Sequence, residues 1–194
     1  QLMRVCPLPD LEFEAVFVSI RRVLLKNLGR IERCPETNDF LSTLSLHCFT
    51  NEFVYPETRE ELELVSDLET TIAECIALAS QPAITEVLCL ATYRPLHHYD
   101  WSEKLRVLQQ LPEVQSRLIE EPRVEKAIAL EIPVLAEIGD EVSRKVRDQY
   151  ENNPYPRWVK LRIPPKAKSV AEVCNEGSLR LHSELIRRAS SPSV

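Results

Sequence analysis

The chain has 194 residues, 28% of them charged and 44% hydrophobic, with a net charge of −6, 14 prolines and only three glycines. That length can bury roughly 70% of the unfolded chain's surface, so a packed core needs neither disulfides nor metals. Isolated glycines at 29, 139 and 177 exclude a Gly-rich phosphate loop, a dinucleotide fingerprint and a nucleophile elbow.

Hydrophobic runs are short, and no stretch of about 18 uncharged apolar residues is present to span a membrane. Residues 1–7, QLMRVCP, lack the apolar core and cleavage pattern of a signal peptide, and without a leading Met they read as a cut piece of a longer chain. The six cysteines (6, 34, 48, 75, 89, 174) contain no CxxC pair and read as buried reduced thiols of a cytoplasmic protein. Charge is uneven: residues 1–100 carry −8, residues 101–194 carry +2, and the last 39 residues carry +5. An acidic body and a basic tail can pair with each other or with neighbours.

The dominant period is helical. Phe13, Val16, Phe17, Ile20, Val23, Leu24 and Leu28 recur at helical spacing, which predicts one buried face, with Gly29 as the C-terminal cap. Asn38 is expected to cap a second helix with Phe40, Leu41, Leu44, Cys48 and Phe49 inward, ending before Pro56. Thr58 and Glu61 form a capping box. The helix it opens turns Val65, Leu68, Ile72, Cys75, Ile76 and Ala79 inward, leaving Glu60, Glu63, Asp67 and Glu74 as a solvated acidic face.

Pro82 starts a fourth helix to about Tyr93, with Ile84, Val87, Leu88 and Ala91 inward. Asp100 is expected to cap a fifth, Trp101 to Leu111. Pro112 and Pro122 open short helices, and Pro133 precedes a longer one with Leu135, Ile138, Val142, Val146 and Tyr150 in step. Period-two alternation is nearly absent, so the fold class is all-α, an irregular multi-helix bundle. The prolines at 154, 156, 164 and 165 break the helical texture. Three parts follow: a helical body over 1–150, a Pro-rich connector over 151–168 and a short C-terminal helical arm over 169–194.

No catalytic constellation is evident. His97-His98 lacks further ligands at any zinc spacing, and reads as surface histidines after a helix. His47 and Cys48 are consecutive on a helix and diverge by about 100°, so they form no thiolate pair and read as core. The candidate interface is Tyr150, Asn153, Pro154, Tyr155, Pro156, Arg157 and Trp158: rigid prolines hold two large aromatics around an arginine, the residue types of a binding hot spot. The same residues can equally staple the connector onto the bundle. Residues 143–168 carry eight bases, but the acidic remainder argues against nucleic acid as a partner.

The segment 150–158, YENNPYPRW, resembles the YEENPYPRW signature of a group of bacterial class I S-adenosylmethionine-dependent methyltransferases, often with N-terminal tetratricopeptide repeats. Asn152 stands where that signature usually has Glu. Leu11 to Leu25, Cys48 to Tyr55, Tyr93 to Leu96 and Val142 to Arg147 are similar too, so the resemblance covers about residues 10–190. It implies a non-catalytic helical region between repeats and a methyltransferase domain that would follow Val194. S-adenosylmethionine is then the parent protein's cofactor, with no catalytic, cofactor-binding or metal residue carried over to this chain. The implied partners are the protein's own methyltransferase and repeat domains and a protein substrate, with no membrane. A stand-alone protein-interaction module is the alternative.

Overall fold

The computed structural model describes residues 3, 10–133, 140–152 and 172. By backbone contacts the chain divides into Gln1–Tyr155 and Pro156–Val194. Among the described residues the structure is all helix and turn: α1 (Leu11–Lys26), α2 (Pro35–Thr50), α3 (Arg59–Ala77), α4 (Ile84–Leu90), α5 (Pro112–Gln115), α6 (Glu121–Glu131) and α7 (Glu141–Asn152), with tight 3-10 turns between them. The all-α expectation holds, and none of these helices is long and apolar enough to cross a membrane.

The centre of the fold is α2. Residues 41–49 are buried on every side of the helix, and α4 packs along it. Such a helix must satisfy its own polar side chains. Ser42, Thr43 and Ser45 do so by donating to the carbonyls of Asn38, Asp39 and Ser42 at 2.6, 2.8 and 2.9 Å. Asn38 is not the cap. The helix starts at Pro35 behind Cys34, because a proline at the first helical position sacrifices an amide that has no partner anyway.

In α1 the predicted face is rotated. Phe17, Arg21 and Leu25 are the buried positions, whereas Phe13, Val16 and Val23 are about half exposed. Apolar periodicity misplaced the face because the residue at its centre is an arginine. Gly29 caps nothing in the left-handed region; it lies in the 3-10 turn Leu28–Arg30, and no described glycine has positive φ.

That role falls to non-glycine residues. Glu52 and Ala79 stand at φ 54° and 56° just past α2 and α3. Phe53 and Ser80 each donate five residues back, to the Cys48 and Cys75 carbonyls at 3.0 Å, which closes both helices with a Schellman arrangement. Ala79 is therefore an exposed cap, not an inward residue of α3.

The expected helix over 101–111 is instead two 3-10 segments, Asp100–Lys104 and Arg106–Gln110. Ser102, Leu105 and Leu108 are buried at steps of three, the repeat that places one face of a 3-10 turn inward. Gln81 ties the junction: its Nε2 donates to the Lys104 carbonyl at 3.0 Å, and its Oε1 accepts from the Arg106 amide at 2.8 Å. The fourth helix is also shorter than expected, ending at Leu90. Pro112 and Pro122 both open helical segments, joined through a π turn over Ser116–Glu120. Pro122 has no N–H for the Leu118 carbonyl and its ring crowds it, so the wider turn relieves the clash.

Asp140 caps α7, accepting from the Val142 and Ser143 amides at 2.9 and 3.2 Å. The apolar positions in step on this helix, Val142, Val146 and Tyr150, are exposed. Leu135 and Ile138 lie outside the described residues.

Candidate functional site

The most concentrated chemistry in the described structure is a polar network where α1, α3 and the turn after α4 meet. Its centre is Arg21, with no exposed surface. The guanidinium lies 4.0 Å from the Tyr93 ring centroid and 5.6 Å from that of Tyr55. It donates to the Thr92 carbonyl at 3.3 Å and the Pro56 carbonyl at 3.2 Å. Aromatic faces and carbonyls take the place of a carboxylate partner, an arrangement open to a flat, weakly hydrated cation.

Beside it Glu61 is also wholly buried. One carboxylate oxygen accepts from Arg22 Nε at 3.0 Å and from the Thr58 amide and hydroxyl at 2.9 and 2.8 Å; the other accepts from the Tyr93 hydroxyl at 3.0 Å. Burial alone would push this carboxyl up, but the Thr58, Arg22 and Tyr93 donors together hold it down at about 2. The capping box expected from sequence is thus present and serves a second purpose, anchoring α1 to α3. Burial, opposed in part by Arg21 and reinforced by Glu61, raises Tyr93 and keeps its phenol protonated.

A second cluster adjoins it. His47 Nε2 lies 2.9 Å from the Tyr55 hydroxyl and 3.1 Å from Asn51 Nδ2, which also donates to Tyr55 at 3.0 Å. An amide donor at Nε2 requires that nitrogen to be unprotonated, so the Tyr55 hydroxyl donates to it. Burial lowers the His47 pKa, consistent with a neutral ring. Phe17 packs edge-on against it at 4.9 Å. The neighbouring Cys48 and Cys89 thiols are pushed up to about 12 by burial, against the opposing pull of Arg21. A thiol held there is protonated at neutral pH and is a poor nucleophile.

Arg94 closes the outer edge with a two-pronged ion pair to Glu57, at 2.6 and 2.9 Å, and Tyr99 donates to Glu69 at 2.6 Å. A surface groove of about 380 Å³ lies elsewhere, lined by Met3, Pro35, Glu36, Asp39, Phe40 and Thr43, and includes no member of the network. The network ties α1, α3 and the turn after α4 together.

Of the interface predicted from sequence, Tyr150 is exposed on α7, while Asn153, Pro154, Tyr155, Pro156, Arg157 and Trp158 lie outside the described residues. The His97 and His98 rings touch at 4.4 Å, and His97 packs edge-on against Phe49. Among the described residues no three His, Cys, Asp or Glu side chains are grouped to hold a metal. Sequence reasoning missed Arg21 and Tyr93 as a buried pair. The available signal was an arginine at the midpoint of Phe17, Arg21 and Leu25, four residues from each.

Arg21 and Arg22, Asn51 and Tyr55, and Tyr93 and Arg94 come from three stretches far apart in the chain, and they converge here. No family model, curated protein or solved structure matches the chain.

Proposed function

We propose that the chain is a non-catalytic helical domain of an S-adenosylmethionine-dependent methyltransferase, one that positions substrate or the repeat region against a catalytic domain C-terminal to Val194. The observation that carries this reading is the convergence of Arg21–Arg22, Asn51–Tyr55 and Tyr93–Arg94 in one polar lock, with Arg21, Tyr55 and Tyr93 buried at its centre. A pattern whose distant pieces meet in a packed interior fits a scaffold that must hold its shape.

The test begins with the intact mass of the native polypeptide from its source, followed by S-adenosylmethionine titration of that polypeptide and of residues 1–194 alone. A product well above 22.3 kDa that binds the cofactor, beside a 1–194 chain that does not, is the expected result. Tight cofactor binding by 1–194, or a native product of 22.3 kDa, overturns it. The second reading, a stand-alone interaction module, is favoured by one observation, the exposed Tyr150. Under that reading Trp158→Ala abolishes partner capture and leaves the body's unfolding midpoint unchanged.

A further inference from the structure

A strained turn follows α2. Glu52 and Phe53 stand in succession at φ 54°, a left-handed conformation that a side chain with a Cβ disfavours. Two such residues side by side persist only where their surroundings hold them. Phe53 is held by its amide, which donates to the Cys48 carbonyl at 3.0 Å, and by its ring, edge-on to Phe49 at 6.2 Å. Beyond it Tyr55 is buried, and its hydroxyl closes a triangle with His47 Nε2 and Asn51 Nδ2, with sides of 2.9, 3.1 and 3.0 Å.

That triangle is satisfied in one protonation state. With Nε2 bare, Tyr55 and Asn51 both donate to the ring, and Asn51 donates again to the Tyr55 oxygen. A proton on Nε2 meets the Asn51 amide donor against donor. If the Tyr55 oxygen accepts that proton, the phenol's own hydrogen loses its acceptor. The histidinium would also sit away from water, since His47 is only 2% exposed.

The charges on the surrounding elements oppose one another. From α1, Arg21 lies 5.6 Å from the Tyr55 ring centroid, and Glu14 acts on the same phenol with the opposite sign. Glu61 of α3 is engaged by its four donors. Burial keeps Cys48 of α2, Cys89 of α4 and Tyr93 beyond it protonated. Arg117 of the π turn donates to Thr50 at 3.1 Å. Of the acids beside the triangle, Glu57 is paired with Arg94, and Glu52 lies in the strained pair itself. With these charges opposed, burial decides, and it favours the neutral ring.

We propose that His47 is a proton-operated latch: its neutral ring holds the strained turn 51–55 against α2, and its protonated ring lets that turn go while the helical core stays folded. The release stays local because Arg21 keeps the Thr92 carbonyl and the Tyr93 ring, and α2 keeps its packing on α4. The latch is independent of the function proposed above.

The test follows the 194-residue chain by NMR from about pH 7.5 to about pH 5, reading the His47 ring and the exchange protection of backbone amides, corrected for the intrinsic rate. The ring should titrate below 6.5. Protection at the Phe53 amide should fall by about tenfold or more, up to a factor of ten per pH unit for one proton. It should end well below that of Ile72 in α3, with native helicity by circular dichroism. His47→Gln should abolish the fall. Asn51→Asp, which sets an acceptor against the protonated ring, should keep the turn closed to lower pH. Unchanged Phe53 protection across the range overturns the proposal. So does exchange of Phe53 and Ile72 at one common level of protection, which is global unfolding and not a latch. A fall that persists in His47→Gln overturns it too; should that variant not fold, a fall in Asn51→Asp equal to that of the parent chain does so.

Discussion

A single buried cation sets the terms for its neighbours. Arg21 is held by two aromatic rings and two carbonyls, and Glu61 collects four donors without touching it. Removing the Tyr93 hydroxyl leaves that carboxylate one donor short, so Tyr93→Phe should cost about 2 kcal/mol, the scale of a hydrogen bond to a charged group, read from urea unfolding. The pH dependence has one sign. Glu61 sits at about 2 in the fold against 4.5 ordinarily, so its contribution, of order 3 kcal/mol, is present above pH 4.5 and lost as pH falls towards 2. His47 is lowered by burial from 6.5, so the folded state resists its protonation and stability also falls below that value. The melting temperature should therefore decline on acidification, first below about 6.5 and then more steeply below about 4.5; Glu61→Gln should flatten the second limb. At pH 8, iodoacetamide should spare Cys48 and Cys89 in the native chain while alkylating the half-exposed Cys34 and Cys75, with site-resolved mass spectrometry as the readout.

At the scale of the element, a chain with three glycines must close its helices by other means. Ala79 occupies the left-handed position after α3 with a Cβ that disfavours it. Ala79→Gly should raise stability by about 0.5–1 kcal/mol, since relief of that strain exceeds the entropy a glycine adds to the unfolded chain; a higher urea midpoint at unchanged slope is the check. The Thr58–Glu61 capping box, by contrast, was legible from four residues of sequence because both partners lie within one turn. The 3-10 segments at 100–110 were not, since a three-residue repeat over so short a run is distinguished from a 3.6-residue one only by what it packs against.

For the whole molecule, burial separates a rigid centre from exposed helices. α2 is enclosed from Leu41 to Phe49, and Ile72 and Leu88 pack with no exposed surface, whereas α6 beyond Arg123 and the described side chains of α7 are exposed. Ile72→Ala should cost about 2–5 kcal/mol through the cavity it leaves. Val124→Ala should stay within about 0.5 kcal/mol, the range of surface substitutions. Both are read from denaturant unfolding, and their contrast measures where the core ends.

Sequence by itself determined the helical class, the existence of α1 to α4, the prolines that open α5 and α6, and the capping box. All of these depend on periodicity and bonds within a turn or two. Tertiary structure decided which face of α1 turns inward, because Arg21 is stable there only between the Tyr55 and Tyr93 rings, which lie 34 and 72 residues away along the chain. It also decided that Val142, Val146 and Tyr150 face solvent. An apolar stripe states that a helix has something to cover, and only the packing around it says whether that surface is covered within the chain.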